Sequence, residues 1–213
     1  VINEYKGKIP ILGINMGHLG FLTELEVDAL YYGLNQLING DYYIEQRMML
    51  LANVYRKKKI VSTHHALNDL VITKNAFARL IELETYVNDQ YLATYPADGL
   101  IISSPTGSTA YSLSAGGPIV APDVEVIIVT PICPHTLHAR PVVISPKNKV
   151  RVKIVSRSSE VMLTIDGQDG FPLEEADEIV LEQSFYKTKL IRLGNKSFYE
   201  VLREKLKDGG QKS

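Results

Sequence analysis

Asp98-Gly99-Leu100-Ile101-Ile102-Ser103-Ser104-Pro105-Thr106-Gly107-Ser108-Thr109-Ala110-Tyr111-Ser112-Leu113-Ser114-Ala115-Gly116-Gly117-Pro118 is the stretch on which the reading of this 213-residue sequence turns. Leu100 to Ile102 is a short apolar run of the length and branching that suits a buried strand. Pro105 breaks it into a loop of Ser, Thr and Gly. A helix is expected to begin near Thr109, where a hydroxyl can cap it and Ala110 favours it. Gly116-Gly117-Pro118 stops it. Strand, hydroxyl-rich loop and helix start together offer free N–H donors and a positive dipole end to an anion. Taken alone, this is also what a Ser/Thr-rich connection looks like. Seven Ser and Thr hydroxyls between Ser103 and Ser114, with an aromatic, Tyr111, in the middle, favour a nucleotide site. No Gly-x-x-x-x-Gly-Lys-Ser/Thr and no Gly-x-Ser-x-Gly occurs, which excludes a Walker loop and a nucleophile elbow.

Upstream, Ile9-Pro10-Ile11-Leu12-Gly13-Ile14-Asn15 reads as a buried strand. Met16-Gly17-His18-Leu19-Gly20-Phe21-Leu22 follows as a glycine-punctuated loop, without the Gly-x-Gly-x-x-Gly spacing of a dinucleotide fingerprint. His18 reads as structural. Val27, Leu30, Tyr31, Leu34, Leu37 and Ile38 recur at helical spacing up to Asn39-Gly40. Short strands are then expected at 42–57, 68–74, 79–87 and 90–94, and after the central stretch at 124–130, 142–145, 150–155, 161–166, 178–182 and 189–193. Lys57-Lys58-Lys59 reads as a solvated hairpin tip and Asn88-Asp89 as a turn. Ser197 and Glu200 form a capping box for an amphipathic helix carrying Phe198, Val201, Leu202 and Leu206. Residues 208–213 read as a polar, disordered tail. The fold class expected is α+β. Residues 1–40 are the remnant of an N-terminal α/β domain, and 41–195 a large sandwich-like β domain. The helix and tail of 196–213 pack back on the first part.

A net charge of −1, from 23 basic and 24 acidic residues, gives no electrostatic case for nucleic acid or an anionic membrane. No apolar run approaches the roughly 20 residues that span a bilayer. The lone Cys133 excludes an internal disulfide, fits a reducing compartment and reads as a small buried residue. With no signal-peptide pattern at Val1 to Lys6, a cytoplasmic location is expected. His135 and His138 lack a carboxylate or Cys at ligand spacing, so no metal site is expected. Asn68-Asp69, at the mouth of the run Leu70-Val71-Ile72, is by itself a turn, yet it could also hold ribose hydroxyls.

The run Asp98-Gly99-Leu100, then Pro105-Thr106-Gly107-Ser108-Thr109-Ala110-Tyr111-Ser112 and Gly116-Gly117, strongly resembles the signature of the NAD kinases. Leu12-Gly13-Ile14-Asn15-Met16-Gly17-His18-Leu19-Gly20-Phe21-Leu22-Thr23-Glu24 resembles the family's second landmark. The resemblance covers essentially the whole chain. It implies transfer of the γ-phosphoryl group of ATP, or of polyphosphate in some members, to the 2′-hydroxyl of the adenosine ribose of NAD. The product is NADP, and Mg²⁺ assists. It further implies that Asn68 and Asp69 match the family's Asn-Glu/Asp motif. Thr109, Ser112, Ser114 and the Ala110 backbone would position NAD, with Thr106 and Leu113 alongside and Tyr111 offering its ring face. Asp98 would aim at the nicotinamide end or its ribose. Arg79 matches a position that reaches the dinucleotide from a neighbouring subunit, within an expected homodimer or homotetramer. Gln168, in the turn Asp166-Gly167-Gln168, is a secondary candidate.

Two departures stand out. The family's Gly-Gly-Asp-Gly loop, whose Asp is the expected base, occurs nowhere here. The catalytic residue is therefore expected upstream of Val1, in a first part missing from this chain. Pro96-Ala97 also stands where many relatives have Arg or Gly. A non-catalytic NAD/NADP-binding module remains the alternative. A lipid or sphingoid kinase relative, which would show an apolar groove, is a third.

Overall fold

The structure, a computed structural model, describes residues 7–17, 20–74, 80–155, 161–194 and 197–208. His18, Arg79 and the tail beyond residue 208 lie outside the described residues. The strands are β1 (Ile14–Asn15), β2 (Leu25–Glu26), β3 (Tyr43–Arg56), β4 (Lys59–Ala66), β5 (Asp69–Lys74), β6 (Ile81–Val87), β7 (Gln90–Ala97) and β8 (Gly99–Ser103). They continue as β9 (Ile127–Ile132), β10 (Val142–Ile144), β11 (Val150–Ile154), β12 (Val161–Ile165), β13 (Asp169–Leu173) and β14 (Glu178–Arg192). The helices are α1 (Leu30–Asn39), α2 (Tyr111–Ser114) and α3 (Phe198–Asp208), with 3-10 turns at Val27–Ala29 and Thr106–Thr109. The chain is α+β with a large β part. It divides into two compact units, Val1–Arg47 with Lys187–Ser213, and Met48–Tyr186.

In the first unit, the stretch from Ile9 is not the buried strand its sequence suggests. Ile11 makes one bridge to Leu190, β1 is two residues long, and Ile9 and Ile14 are exposed. Helix α1 ends as expected, with Gly40 in the left-handed conformation (φ 79°). Its apolar face stays largely uncovered, however, with Tyr31 and Ile38 more than four-fifths exposed. A partly buried ion network ties this unit together: the Arg192 guanidinium donates to Glu45 at 2.6 Å and to Glu24 at 3.0 Å. Helix α3 opens on the capping box, Glu200 N–H to Ser197 Oγ at 3.3 Å and Ser197 N–H to Glu200 Oε2 at 2.7 Å. Its Phe198 ring meets Phe21 at 5.6 Å.

The second unit holds most of two six-stranded sheets, ordered β10-β9-β8-β5-β12-β13 and β4-β3-β14-β11-β6-β7. Every described pairing within them is antiparallel. Alternation explains the layering. Leu70 and Ile72 of β5, Leu100 and Ile102 of β8, and Leu163 of β12 turn inward. They meet Leu50, Leu83, Val152 and Leu181 of the other sheet in one fully buried core. Each such side chain contributes about 1.5–3 kcal/mol. The opposite face of β5, β8 and β9 carries a second, smaller cluster of Val71, Ile101 and Ile132, with Ala115 packed on it. The segment after β8 therefore covers the outer face of the first sheet.

Hairpin tips fall where turn formers stand: Lys57-Lys58, Asn88-Asp89 and Asp166-Gly167 all have positive φ. Three strands, β2, β4 and β13, are additions to the sequence reading, and the strands expected at 178–182 and 189–193 are one continuous β14. Cys133 is exposed with φ 43°, which corrects its reading as a buried residue.

Candidate functional site

The site is built where the outer faces of β5, β8 and β12 end together. Asp69 pairs with Ser103 of β8, and Leu70 pairs with Ile165 of β12, so the three strands bring their termini side by side. Over that face lies a cavity of about 450 Å³. Its lining comprises Asn68, Asp69, Val71 and Thr73, with Ala110, Tyr111, Thr164, Asp166 and Gly167. Asp69, Val71 and Thr73 come from one face of one strand, as period-two alternation requires.

The hydroxyl-rich loop closes the top, and most of its hydroxyls are consumed in building it. Ser104 Oγ donates to the Leu67 carbonyl and accepts from Gly107 N–H. Ser108 Oγ donates to the Val120 carbonyl at 3.2 Å and accepts Val120 N–H at 3.0 Å. Thr109 Oγ1 donates to the Thr106 carbonyl at 3.4 Å, and buried Ser112 shares a bond with Thr130 at 3.1 Å. The helix does not start with a Thr109 cap. A 3-10 turn runs Thr106–Thr109, and Ala110 precedes α2 without any side-chain cap. Glycine is obligatory at position 107, because a Cβ there would lie 2.0 Å from the Asn68 carbonyl oxygen. That close approach sets the loop directly upon the Asn68-Asp69 pair.

Of the residues singled out from sequence, Asn68, Asp69, Ala110 and Tyr111 line the cavity. Tyr111 is 46% exposed and belongs to no hydrophobic cluster among the described residues. Thr106 is buried in the 3-10 turn and Ser112 on α2, Leu113 and Ser114 are exposed on α2, and Gln168 is exposed at the β12–β13 turn. Asp98 pairs with Lys74 at 3.5 Å. Sequence reading missed Thr73 and Thr164, which lie mid-strand with no local mark of function. It also missed the part played by Asp166, whose carboxylate accepts the N–H groups of Leu67, Asn68 and Asp69 at 2.9, 2.7 and 3.1 Å.

Electrostatically the cavity is unusual. Asp69 is 4% exposed. Burial, with the neighbouring Asp166 charge adding to it, pushes its carboxyl up to about 6. A cavity lined by a buried carboxyl, an amide, an aromatic ring and hydroxyls suits a polyhydroxylated, aromatic ligand such as a nucleoside.

Residues 67–193 match the family model of the ATP-NAD kinase C-terminal domain, and residues 2–42 that of the N-terminal domain. The chain belongs to the NAD kinase family. It is 55% identical over 203 residues to the NAD kinase of Moorella thermoacetica, covering 95% of this chain and 65% of that protein. The structure of yeast NADH kinase complexed with NADH superposes with a TM-score of 0.86 at 30% identity, over 97% of this chain and 60% of that one. An NAD kinase from Archaeoglobus fulgidus in complex with ATP gives 0.80 at 25% identity, over 97% of this chain and 77% of that one. The chain thus spans a little under two thirds of the Moorella and yeast proteins.

Proposed function

We propose that this chain carries the dinucleotide site of an NAD kinase, which phosphorylates the 2′-hydroxyl of the adenosine ribose of NAD with ATP or polyphosphate to give NADP. One observation carries the reading: Asn68, Asp69 and Tyr111 converge on one cavity roofed by the segment that bears the family signature. In this reading Asn68 and Asp69 hold ribose hydroxyls, Tyr111 lies against the base, and the Ala110 backbone orients the ligand. Thr109, Ser112 and Ser114, with Thr106 and Leu113, shape the loop. Asp98, Arg79 and Gln168 complete the contacts with the rest of the dinucleotide. Phosphoryl transfer relies on positioning and charge neutralisation. Mg²⁺ would enter with the phosphates of ATP. Among the described residues no three of His, Cys, Asp or Glu converge to hold a cation, so no step is assigned to a protein-held metal.

The same proposal includes a homodimer or homotetramer in the cytoplasm and the division at about residues 40 and 195. No described helix is long and apolar enough to cross a membrane. The test is calorimetric titration of NAD into the wild-type chain and Asn68→Ala. Removing the amide leaves buried partners unpaired and is expected to weaken binding by about 1–3 kcal/mol. Unchanged affinity would refute the site.

A further inference from the structure

We infer that Asp166 is a positioning residue of this pocket: its carboxylate gathers three successive backbone N–H groups and thereby presets the two side chains that face the ligand. The inference rests on the proposed dinucleotide site. Three observations carry it.

First, Leu67, Asn68 and Asp69 lie where the chain passes from β4 into β5, and N–H groups buried at such a junction need an acceptor. Asp166 supplies all three from a residue 97 to 99 positions away, Oδ2 to Leu67 and Oδ1 to Asn68 and Asp69. Bonds to a carboxylate are roughly twice as strong as neutral ones. The Asp166 N–H returns a bond to the Asp69 carbonyl at 3.0 Å, so the junction is held from both sides.

Second, Asp166 has φ 49° and is followed by Gly167 at φ 68°. Asn or Gly would suit such a turn at least as well as Asp. Neither offers an acceptor on both arms of the side chain. The choice of aspartate is explained by the N–H groups it receives.

Third, Asp166 itself lines the cavity beside Asp69. Asp166 and Tyr111 are the other titratable groups on that wall, and the residue paired with Asp69 across from it on β8 is the uncharged Ser103. The anchoring charge therefore also raises the proton affinity of the buried Asp69 carboxyl.

The experiment uses the 213-residue chain and Asp166→Asn, which keeps the size of the side chain and removes its charge. In ligand-free protein, carbon-detected NMR follows the Asp69 carboxyl with pH. Its midpoint is expected to fall toward the ordinary carboxylate range in Asp166→Asn. NAD affinity at pH 7.5 is expected to weaken about tenfold or more, the loss of charge-assisted anchoring. An unmoved Asp69 midpoint together with wild-type affinity overturns the inference. Should Asp166→Asn fail to fold, amide exchange in the wild type decides. Leu67, Asn68 and Asp69 are expected to be protected like strand residues, and rapid exchange at all three overturns the clamp. Failure of the wild type to bind NAD would overturn the proposed function, while the ligand-free titration and exchange still decide the role of Asp166.

Discussion

Replacing Asp69 by Asn separates what this site does for the fold from what it does for the ligand. The carboxyl is buried and its affinity for protons is raised, from 3.8 to about 6. Native protein therefore binds this proton more tightly than the unfolded chain does. Below about pH 4 both states hold it, and the group is neutral in its effect. Between about pH 4 and 6 the unfolded chain releases the proton first, so stability falls as pH rises; above about 6 the penalty is constant. A difference of roughly 2 units at 1.36 kcal/mol each sets that penalty at about 3 kcal/mol. Asparagine has nearly the same shape and no charge. Asp69→Asn is therefore expected to stabilise the ligand-free protein by about 1–3 kcal/mol at pH 7 and to be nearly neutral at pH 4. Urea unfolding of both proteins at pH 4, 5, 6 and 7 measures this. NAD binding should move the other way, weakening about tenfold or more as a charged acceptor is lost. A variant no more stable than wild type at pH 7, or a gain independent of pH, would refute the reasoning.

Gly107→Ala forces a Cβ within 2.0 Å of the Asn68 carbonyl, so a loss of roughly 3 kcal/mol or more is expected, read by thermal unfolding. Tyr111→Ala should leave stability within about 0.5 kcal/mol, since the ring is half exposed, and Tyr111→Phe should bind NAD better than Tyr111→Ala by calorimetry. In Arg56→Ala the buried Asp177 loses two hydrogen bonds, at 3.0 and 2.8 Å, and keeps, among the described residues, the Glu174 N–H donor. A cost of about 2–3 kcal/mol is expected in chemical denaturation, discounted for the partial exposure of Arg56.

The sheets were legible in the sequence wherever one strand carried its own pattern. The runs at β5, β8 and β9 are short, apolar and bounded by turn formers. The strand β13 was not, because Gly170 and Pro172 contradict strand propensity. Both are tolerated at an edge, where β13 lies. β14 was split because Gln183, Ser184, Lys187, Thr188 and Lys189 interrupt the apolar pattern, although the strand runs through them. Ile9 to Ile14 misled in the opposite way, since apolar composition does not reveal whether a neighbour covers it. At the site, the Asn68-Asp69 pair and the signature loop were visible. The internal use of Ser104, Ser108 and Ser112 was not, because a hydroxyl carries no mark of its partner. Asp166 acts across nearly a hundred residues, and no local pattern encodes that.

That long span has a kinetic consequence. β5 can pair with β8 once residues 69–103 exist, a closure of about thirty residues, whereas its other neighbour, β12, begins only at Val161. Non-local pairings of this kind form late, because the chain entropy of the intervening loop is lost before the contacts reward it. A nascent or refolding chain thus possesses the Asn68-Asp69 sequence and its signature loop long before Asp166 reaches them. Competence for nucleotide is expected to appear with the β5–β12 ladder rather than with the first collapse, so the ligand can reward a paired β domain but cannot template an early one.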